Sequence, residues 1–317
     1  MGLNILIIKT SSLGDVLHGL SVVSDIKRNF PESQIDWLVE EAYEKTVALN
    51  RDIRRVIPIA VRRWRKKILN RKTWLEISNT ITQIRLIQYE LVIDLQGLIK
   101  SALFARSARG LKVGFDHSSI REPIACWLYD KKIFVEKNKH MIHRCRELAA
   151  KALGYGMQDF TVQYGLKQNE IKRRSNLAVI LTGTAQKKKL WPENNWKTVI
   201  RFLESKGFEC QLPWGNIEER QRCERLRIST DAGLVPAQGI EELAKLMANA
   251  TIVIGVDTGL LHLAATQDTP LVGIYGASDP LKTGPESNAE VRVTGSSSEF
   301  PKPSEVIDSI NELIRQR

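Results

Sequence analysis

Short apolar runs alternate along this chain with longer segments in which apolar residues return every three or four positions. Runs of the first kind read as buried strands and segments of the second as amphipathic helices. The pattern therefore predicts βα units: an α/β protein with a parallel sheet covered by helices on both faces. In the first half the predicted strands are 4–8, 35–39, 56–59, 91–95 and 112–115. Helices are predicted over 15–29, where Val16, Leu20, Val23 and Ile26 share a face, and over 73–88. The second half has the same organisation, with strands predicted at 178–181, 209–212, 251–254 and 270–274, although no stretch of sequence is itself repeated.

A length of 317 residues suits two domains at roughly 150 residues each. A helix over 144–153, stopped at Gly154-Tyr155-Gly156 and followed by a polar stretch at 163–176, puts the boundary near residue 166, giving domains 1–165 and 166–317. Near the end, Pro301 and Pro303 precede Ser304, a favourable N-cap. Val306, Ile310, Leu313 and Ile314 then recur at helical spacing, which predicts an amphipathic helix over 304–316 that must dock on another surface.

Composition narrows the class. With 43% hydrophobic and 26% charged residues the chain is neither disordered nor coiled-coil. Cys126, Cys145, Cys210 and Cys223 contain no Cys-x-x-Cys pair, so they read as reduced thiols rather than a disulfide framework or metal site. The apolar start ends at Lys9, too early for a signal-peptide core, and nowhere do eighteen apolar residues run together. Leu6 breaks the myristoylation pattern that Met1-Gly2 begins. A cytoplasmic protein is expected. The formal charge of +11 calls for an acidic partner: a phosphate-bearing substrate, nucleic acid or an anionic membrane face.

Familiar fingerprints are missing. No Gly-x-Gly-x-x-Gly follows a predicted strand, and Leu20-Ser21 stands where a Walker A loop after Gly14 and Gly19 needs Lys-Ser/Thr. There is no Asp-x-Asp and no His-Glu-x-x-His, so no metal is demanded and phosphate charge falls to side chains and helix ends.

Candidate chemistry gathers in the polar turns that follow strands, the ligand-binding end of a parallel sheet. The first is Lys9-Thr10-Ser11-Ser12-Leu13-Gly14-Asp15-Val16-Leu17-His18, where Asp15 is placed to accept a proton, or where Ser12 and Asp15 merely cap the helix. The second is Val256-Asp257-Thr258-Gly259-Leu260-Leu261-His262, whose helix amides suit a pyrophosphate; Asp257 as a cap and His262 as a satisfied core histidine are the structural alternatives. A third turn, Thr182-Gly183-Thr184-Ala185-Gln186-Lys187-Lys188-Lys189, offers a cation to a diphosphate, or simply a solvated lysine run. Gly276-Ala277-Ser278-Asp279-Pro280 is a weaker fourth turn. Between residues 51 and 72, ten Lys or Arg residues face the single acid Asp52, a local charge of +9. In that segment Arg62-Arg63-Trp64-Arg65-Lys66-Lys67 joins guanidinium forks to an indole, a mixture suited to phosphate, carboxylate, nucleic acid or a lipid surface.

Taken in order, the Lys9–His18 turn, the Arg62–Lys66 patch, Arg121-Glu122-Pro123, Leu212-Pro213-Trp214-Gly215 and the Val256–His262 turn resemble the lipopolysaccharide heptosyltransferases of glycosyltransferase family 9. The resemblance implies the GT-B arrangement: two Rossmann-like domains facing across a cleft, acceptor bound by the first and nucleotide sugar by the second, with the final helix packing back toward the first. It implies ADP-heptose as donor, Kdo-lipid A as acceptor and inverting displacement without cofactor or metal. Asp15 would be the general base and Lys189 would neutralise the departing pyrophosphate, with Thr184, Thr258 and Gly259 adding phosphate contacts and Ser11 and Ser12 orienting the reacting groups. By alignment alone, Asp257 would touch heptose hydroxyls, Glu219 the ribose, and His262 would lie near the diphosphate. Arg62, Arg63, Arg65, Lys66, Arg121, His140 and Arg144 are the acceptor-binding candidates. Peripheral association with the anionic inner membrane follows from such an acceptor; nucleic acid is not expected. The chain departs from the family at Ala185, where a second threonine is usual, at Lys187 and Lys188, where acids are common, and at Ala277, where proline is usual. Open alternatives are a relative that extends an already heptosylated core and a silent nucleotide-sugar-binding module.

Overall fold

The computed structural model describes residues 2–157, 161–166 and 174–315. Contacts group the chain into two compact units, Met1–Lys167 and Gln168–Arg317, against an expected division at 165/166; residues 167–173 of the expected polar linker, and position 316 of the expected final helix, lie outside the described residues.

In the first unit six strands, β1 (Asn4–Ile8), β2 (Gln34–Glu40), β3 (Ile53–Ile59), β4 (Gln88–Asp94), β5 (Arg109–Phe115) and β6 (Lys131–Ile133), form one parallel sheet in the order β3-β2-β1-β4-β5-β6. Ile5 to Ile8 are fully buried, as a central parallel strand covered on both faces requires. The Leu13–Asn29 and Met141–Leu153 helices pack together, and Arg146 donates to Asp25 at 2.6 Å between them. Gly154, in the left-handed conformation at φ 78°, ends the second of these helices where the sequence predicts its stop.

The second unit carries β7 (Leu177–Leu181), β8 (Glu209–Leu212), β9 (Gly233–Leu234), β10 (Ile252–Val256), β11 (Leu271–Tyr275) and β12 (Val291–Gly295), again all parallel, in the order β12-β11-β10-β7-β8-β9. Counted from the first strand of each unit, both sheets have the order 3-2-1-4-5-6, the doubly wound topology. The strand order reverses between β1 and β4 in one sheet and between β7 and β10 in the other, and those are the crevices where such sheets bind ligands. The three strands not predicted, β6, β9 and β12, are short or rich in polar residues and terminate the pairing, so they carry no apolar run.

The final helix differs from expectation at its start. It spans Pro303–Arg315, so Ser304 is not its cap; Pro303 occupies the first turn, where its missing N–H costs nothing, and Glu305 accepts from the Lys302 N–H at 2.6 Å. Its Val306, Ile310 and Leu313 belong to the core of the second unit, with Trp191 and Trp196, and the helix packs beside the Glu193–Ser205 helix.

Candidate active site

Two constellations form, one at each strand-order reversal. In the first unit the turn after β1 is held by the turn after β4. The Gln96 Oε1 accepts from the Thr10 N–H at 2.9 Å and the Ser11 N–H at 3.1 Å, which fixes the orientation of the amide. Gln96 is itself set by a buried carboxylate: Asp94 Oδ1 accepts from the N–H groups of Gln96 at 2.8 Å and Gly97 at 3.1 Å, and Tyr129 OH donates to Oδ2 at 2.7 Å. Two glycines permit this. Gly97 has φ +67°, and a Cβ on Gly114 would lie 2.3 Å from the Tyr129 ring that crosses it.

Ser12 then caps the Leu13–Asn29 helix, and its N–H and Oγ–H both donate to Asp15 Oδ2, at 2.9 and 3.1 Å. Asp15 thus does serve the helix start, but through one oxygen only. It also lines a cavity of about 370 Å³ with Lys9, Gln96, Phe115, Ser119, Arg121, Lys137, Met141 and Arg144 among its walls. Four cations face one carboxylate there. The Lys9 Nζ, buried, donates to the Leu95 carbonyl at 3.0 Å. Arg144 donates to the Ser119 carbonyl at 2.6 Å and stacks 4.9 Å from the Phe115 centroid, and burial lowers its pKa from the ordinary arginine value. This partly desolvated cavity suits a polyhydroxylated anion, whose carboxylate or phosphate meets the cations while a hydroxyl meets Asp15.

The basic segment is less of a free patch than its sequence promises. Arg54 and Arg55 both pair with buried Asp36 at 2.8 Å, and Arg63, an acceptor candidate, is held by Glu41 at 3.0 Å and Glu76 at 2.9 Å. Trp64 is no stacking platform: it is buried and donates to Glu76 at 2.7 Å. Arg62, Arg65 and Lys66 remain exposed without an ion pair among the described residues, Arg62 lying over the Tyr43 ring at 5.5 Å. His140 is not part of the cavity wall; its Nδ1 accepts from the Ile142 N–H at the start of the Met141–Leu153 helix, and its ring packs on His18 with centroids 5.5 Å apart.

In the second unit the turns after β7, β10 and β11 converge on Asp257. Its Oδ2 accepts from Lys189 Nζ at 2.6 Å and from Ser278 Oγ, and Thr184 Oγ1 donates to its backbone carbonyl at 3.1 Å. Thr258 caps the short Gly259–Ala265 helix, on which His262 is buried. Glu219 accepts from the Gly215 N–H at 2.7 Å and lies so close to Gly183 that a Cβ there would be 2.7 Å from its carboxyl carbon, so the carboxylate stands beside the turn that carries Thr184. Lys187 and Lys188 are exposed, whereas Lys189 turns inward onto Asp257. Lys189 is therefore paired with the carboxylate expected to touch sugar hydroxyls, so the two expected roles meet in one ion pair. Among the described residues no three His, Cys, Asp or Glu side chains gather to hold a metal.

Sequence reasoning passed over Gln96, Lys9, Lys137 and Ser278. For Lys9 a signal was present, since it stands where an apolar strand run ends in a polar residue, whereas Gln96 lies two positions beyond Asp94, where its strand ends; Ser278 lies in the weaker fourth turn, and Lys137 in a loop with no pattern. The Gln96 support has its own test. Burial holds the Asp94 carboxyl above the ordinary carboxylate range. A raised native pKa means that the fold binds the proton more tightly than the unfolded chain, so stability falls as pH rises from the unfolded carboxyl pKa through the native one. In urea titrations, wild type is expected to gain stability relative to Asp94→Asn as pH is lowered across that range, and no pH dependence of the difference would remove Asp94 as its source.

Residues 77–313 match the family described as glycosyltransferase family 9 (heptosyltransferase). A lipopolysaccharide heptosyltransferase 1 from Salmonella typhimurium is 39% identical over 284 residues, which is 88% of this chain and 90% of that protein. The solved structure of E. coli heptosyltransferase WaaC with ADP superposes with a TM-score of 0.89 at 34% identity, covering 98% of this chain and 100% of that one. The same enzyme with ADP-2-deoxy-2-fluoro heptose gives 0.85 at 33%, covering 99% of each.

Proposed function

The chain belongs to glycosyltransferase family 9, the heptosyltransferases, and from that premise we propose that it moves L-glycero-D-manno-heptose from ADP-heptose onto a Kdo sugar of Kdo-lipid A in the lipopolysaccharide inner core. The observation that carries the acceptor side is the cavity in which Asp15 is the one carboxylate among Lys9, Arg121, Lys137 and Arg144, a setting matched to an acidic sugar with a nucleophilic hydroxyl. The donor side leans on the bound ADP and ADP-heptose analogue of the E. coli relative and on the Lys189, Thr184 and Asp257 cluster.

In the proposed step the acceptor oxygen forms a bond to the anomeric carbon as the bond from that carbon to the β-phosphate oxygen breaks. The hydroxyl proton passes to Asp15 and the electron pair leaves with ADP, giving inversion without a covalent sugar-enzyme intermediate. Ser12 holds Asp15 Oδ2, so Oδ1 takes the proton. Lys189 neutralises charge on the departing diphosphate, with the Thr184 hydroxyl and the Thr258 and Gly259 amides as further donors. Asp257 binds heptose hydroxyls, Glu219 the ribose, and His262 lies near the diphosphate. No resident metal enters this scheme. The membrane contact implied by a lipid-linked acceptor is peripheral, at the cytoplasmic face; no described helix is long and apolar enough to cross a bilayer.

The test is incubation with ADP-heptose and Kdo-lipid A in the presence of chelator, following ADP release and acceptor mass together. One heptose gained per ADP released supports the reading. Donor binding without product, on this acceptor and on a heptosylated one, would leave a binding module. Replacing Arg62, Arg65 or Arg121 with alanine is expected to raise the acceptor KM by roughly 10- to 100-fold with ADP affinity unchanged. Arg63→Ala should instead act mainly on stability, because its guanidinium is engaged by Glu41 and Glu76.

A further inference from the structure

Large apolar side chains stand exposed on three neighbouring elements of the first unit. Leu69, 98% exposed in the turn before the Arg71–Arg85 helix, is followed by exposed Trp74 and Leu75 on that helix. The Ile99–Ser107 helix packs beside it and exposes Leu103, and the short Pro123–Leu128 helix packs beside that and exposes Ile124 and Trp127, the last 80% exposed. Single exposed apolar residues are ordinary, but a run of them over adjoining elements marks an interaction surface. The Trp74 Nε1 already donates to the Ile68 carbonyl at 2.8 Å, so its ring needs no polar partner from outside.

The charge around this face selects the partner. Residues 65–76 include Arg65, Lys66, Lys67, Arg71 and Lys72 against the single acid Glu76, which Arg63 and Trp64 already hold; residues 99–109 include Lys100, Arg106 and Arg109 and no acid. Lys132 lies over the Trp127 ring at 5.6 Å. A second copy of this chain would set cations against cations, whereas an anionic bilayer offers phosphates to the cations and hydrocarbon to the leucines and indoles. The face also meets the rim of the Asp15 cavity: Lys100 Nζ donates to Ser11 Oγ at 3.4 Å, and Ile120 and Arg121, which line the cavity, lead directly into the Pro123–Leu128 helix.

We propose that this face is a membrane anchor. Leu69, Trp74, Leu103 and Trp127 enter the interfacial region of an anionic bilayer and the surrounding lysines and arginines hold headgroup phosphates, so that a sugar carried on a membrane lipid meets the cavity at its rim. The proposal deepens the functional reading, since it names how the enzyme sits where its acceptor lies. It can fail separately, because vesicle binding is measured without donor or acceptor.

The experiment is flotation of the full chain with phosphatidylethanolamine/phosphatidylglycerol vesicles and with phosphatidylcholine vesicles, over a range of salt. Wild type is expected to bind the anionic vesicles and to keep part of that binding in high salt, where headgroup attraction is screened but apolar insertion is not. The Leu69→Glu/Trp127→Glu double variant, altered only at exposed positions, should lose about tenfold or more in vesicle affinity with ADP affinity and Tm unchanged. Equal binding by the variant, or no preference of wild type for the anionic vesicles, overturns the proposal. So does a wild-type dimer that the variant splits, which would make this face a contact between copies of the chain.

Discussion

Asp15→Asn is expected to cut turnover by roughly 10²- to 10⁴-fold while ADP affinity and folding stay close to wild type. The amide oxygen of asparagine still accepts from the Ser12 N–H, so the helix start keeps its hydrogen bond; only the charge and the capacity to take a proton are lost. The loss of a favourable helix-terminus charge costs about 0.3–1 kcal/mol, too little to unfold a domain. Steady-state kinetics with ADP titration and a melting curve separate the outcomes. Turnover lost with Tm and ADP binding intact marks the base. Tm and turnover falling together would reduce Asp15 to a cap. Near-normal turnover would remove it from the reaction.

Lys189→Met is expected to lower turnover by roughly 10²- to 10³-fold, the scale for losing a charge aimed at a developing anion. A second effect follows from the geometry. Asp257, with a side chain only 9% exposed, would keep the Ser278 hydroxyl but lose its counter-ion, so the unliganded protein should lose about 1–3 kcal/mol of stability. On the proposed reading, in which one lysine serves both groups, Lys189→Arg should restore most of the stability and only part of the turnover: a guanidinium pairs with a carboxylate readily but places its charge differently on a diphosphate. Denaturation and kinetics measured on both variants test this. If Met at 189 costs stability but leaves turnover within a few-fold, the lysine is only the partner of Asp257.

The turns that carry Asp15 and Asp257 were legible because each follows a five-residue apolar strand, Asn4–Ile8 and Ile252–Val256, and a parallel strand delivers its next residues to the ligand-binding end. Lys189 was legible only through family resemblance, since nothing in Lys187-Lys188-Lys189 distinguishes the lysine that turns inward. The ion pairs of Arg63 were not legible, for the opposite reason. Counting charge between residues 51 and 72 omits Asp36, Glu41 and Glu76, which lie outside that window and are brought to it by the pairing of β2 with β3 and by the Arg71–Arg85 helix.

Local periodicity, by itself, determined that this chain is built of βα units, where most strands lie and which polar turns leave their carboxyl ends, because strand and helix periods and the direction of the chain are properties of neighbouring residues. The tertiary structure alone decided that two halves without a repeated sequence share one strand order, which sets β1 against β4 and β7 against β10. That adjacency lets Gln96 grip Thr10 across 86 positions of sequence and Lys189 reach Asp257 across 68, and it buries Lys9 at the wall of the Asp15 cavity. Such contacts follow from which strands pair and which faces pack, and these are settled by burial summed over the whole sheet rather than by any segment that takes part in it.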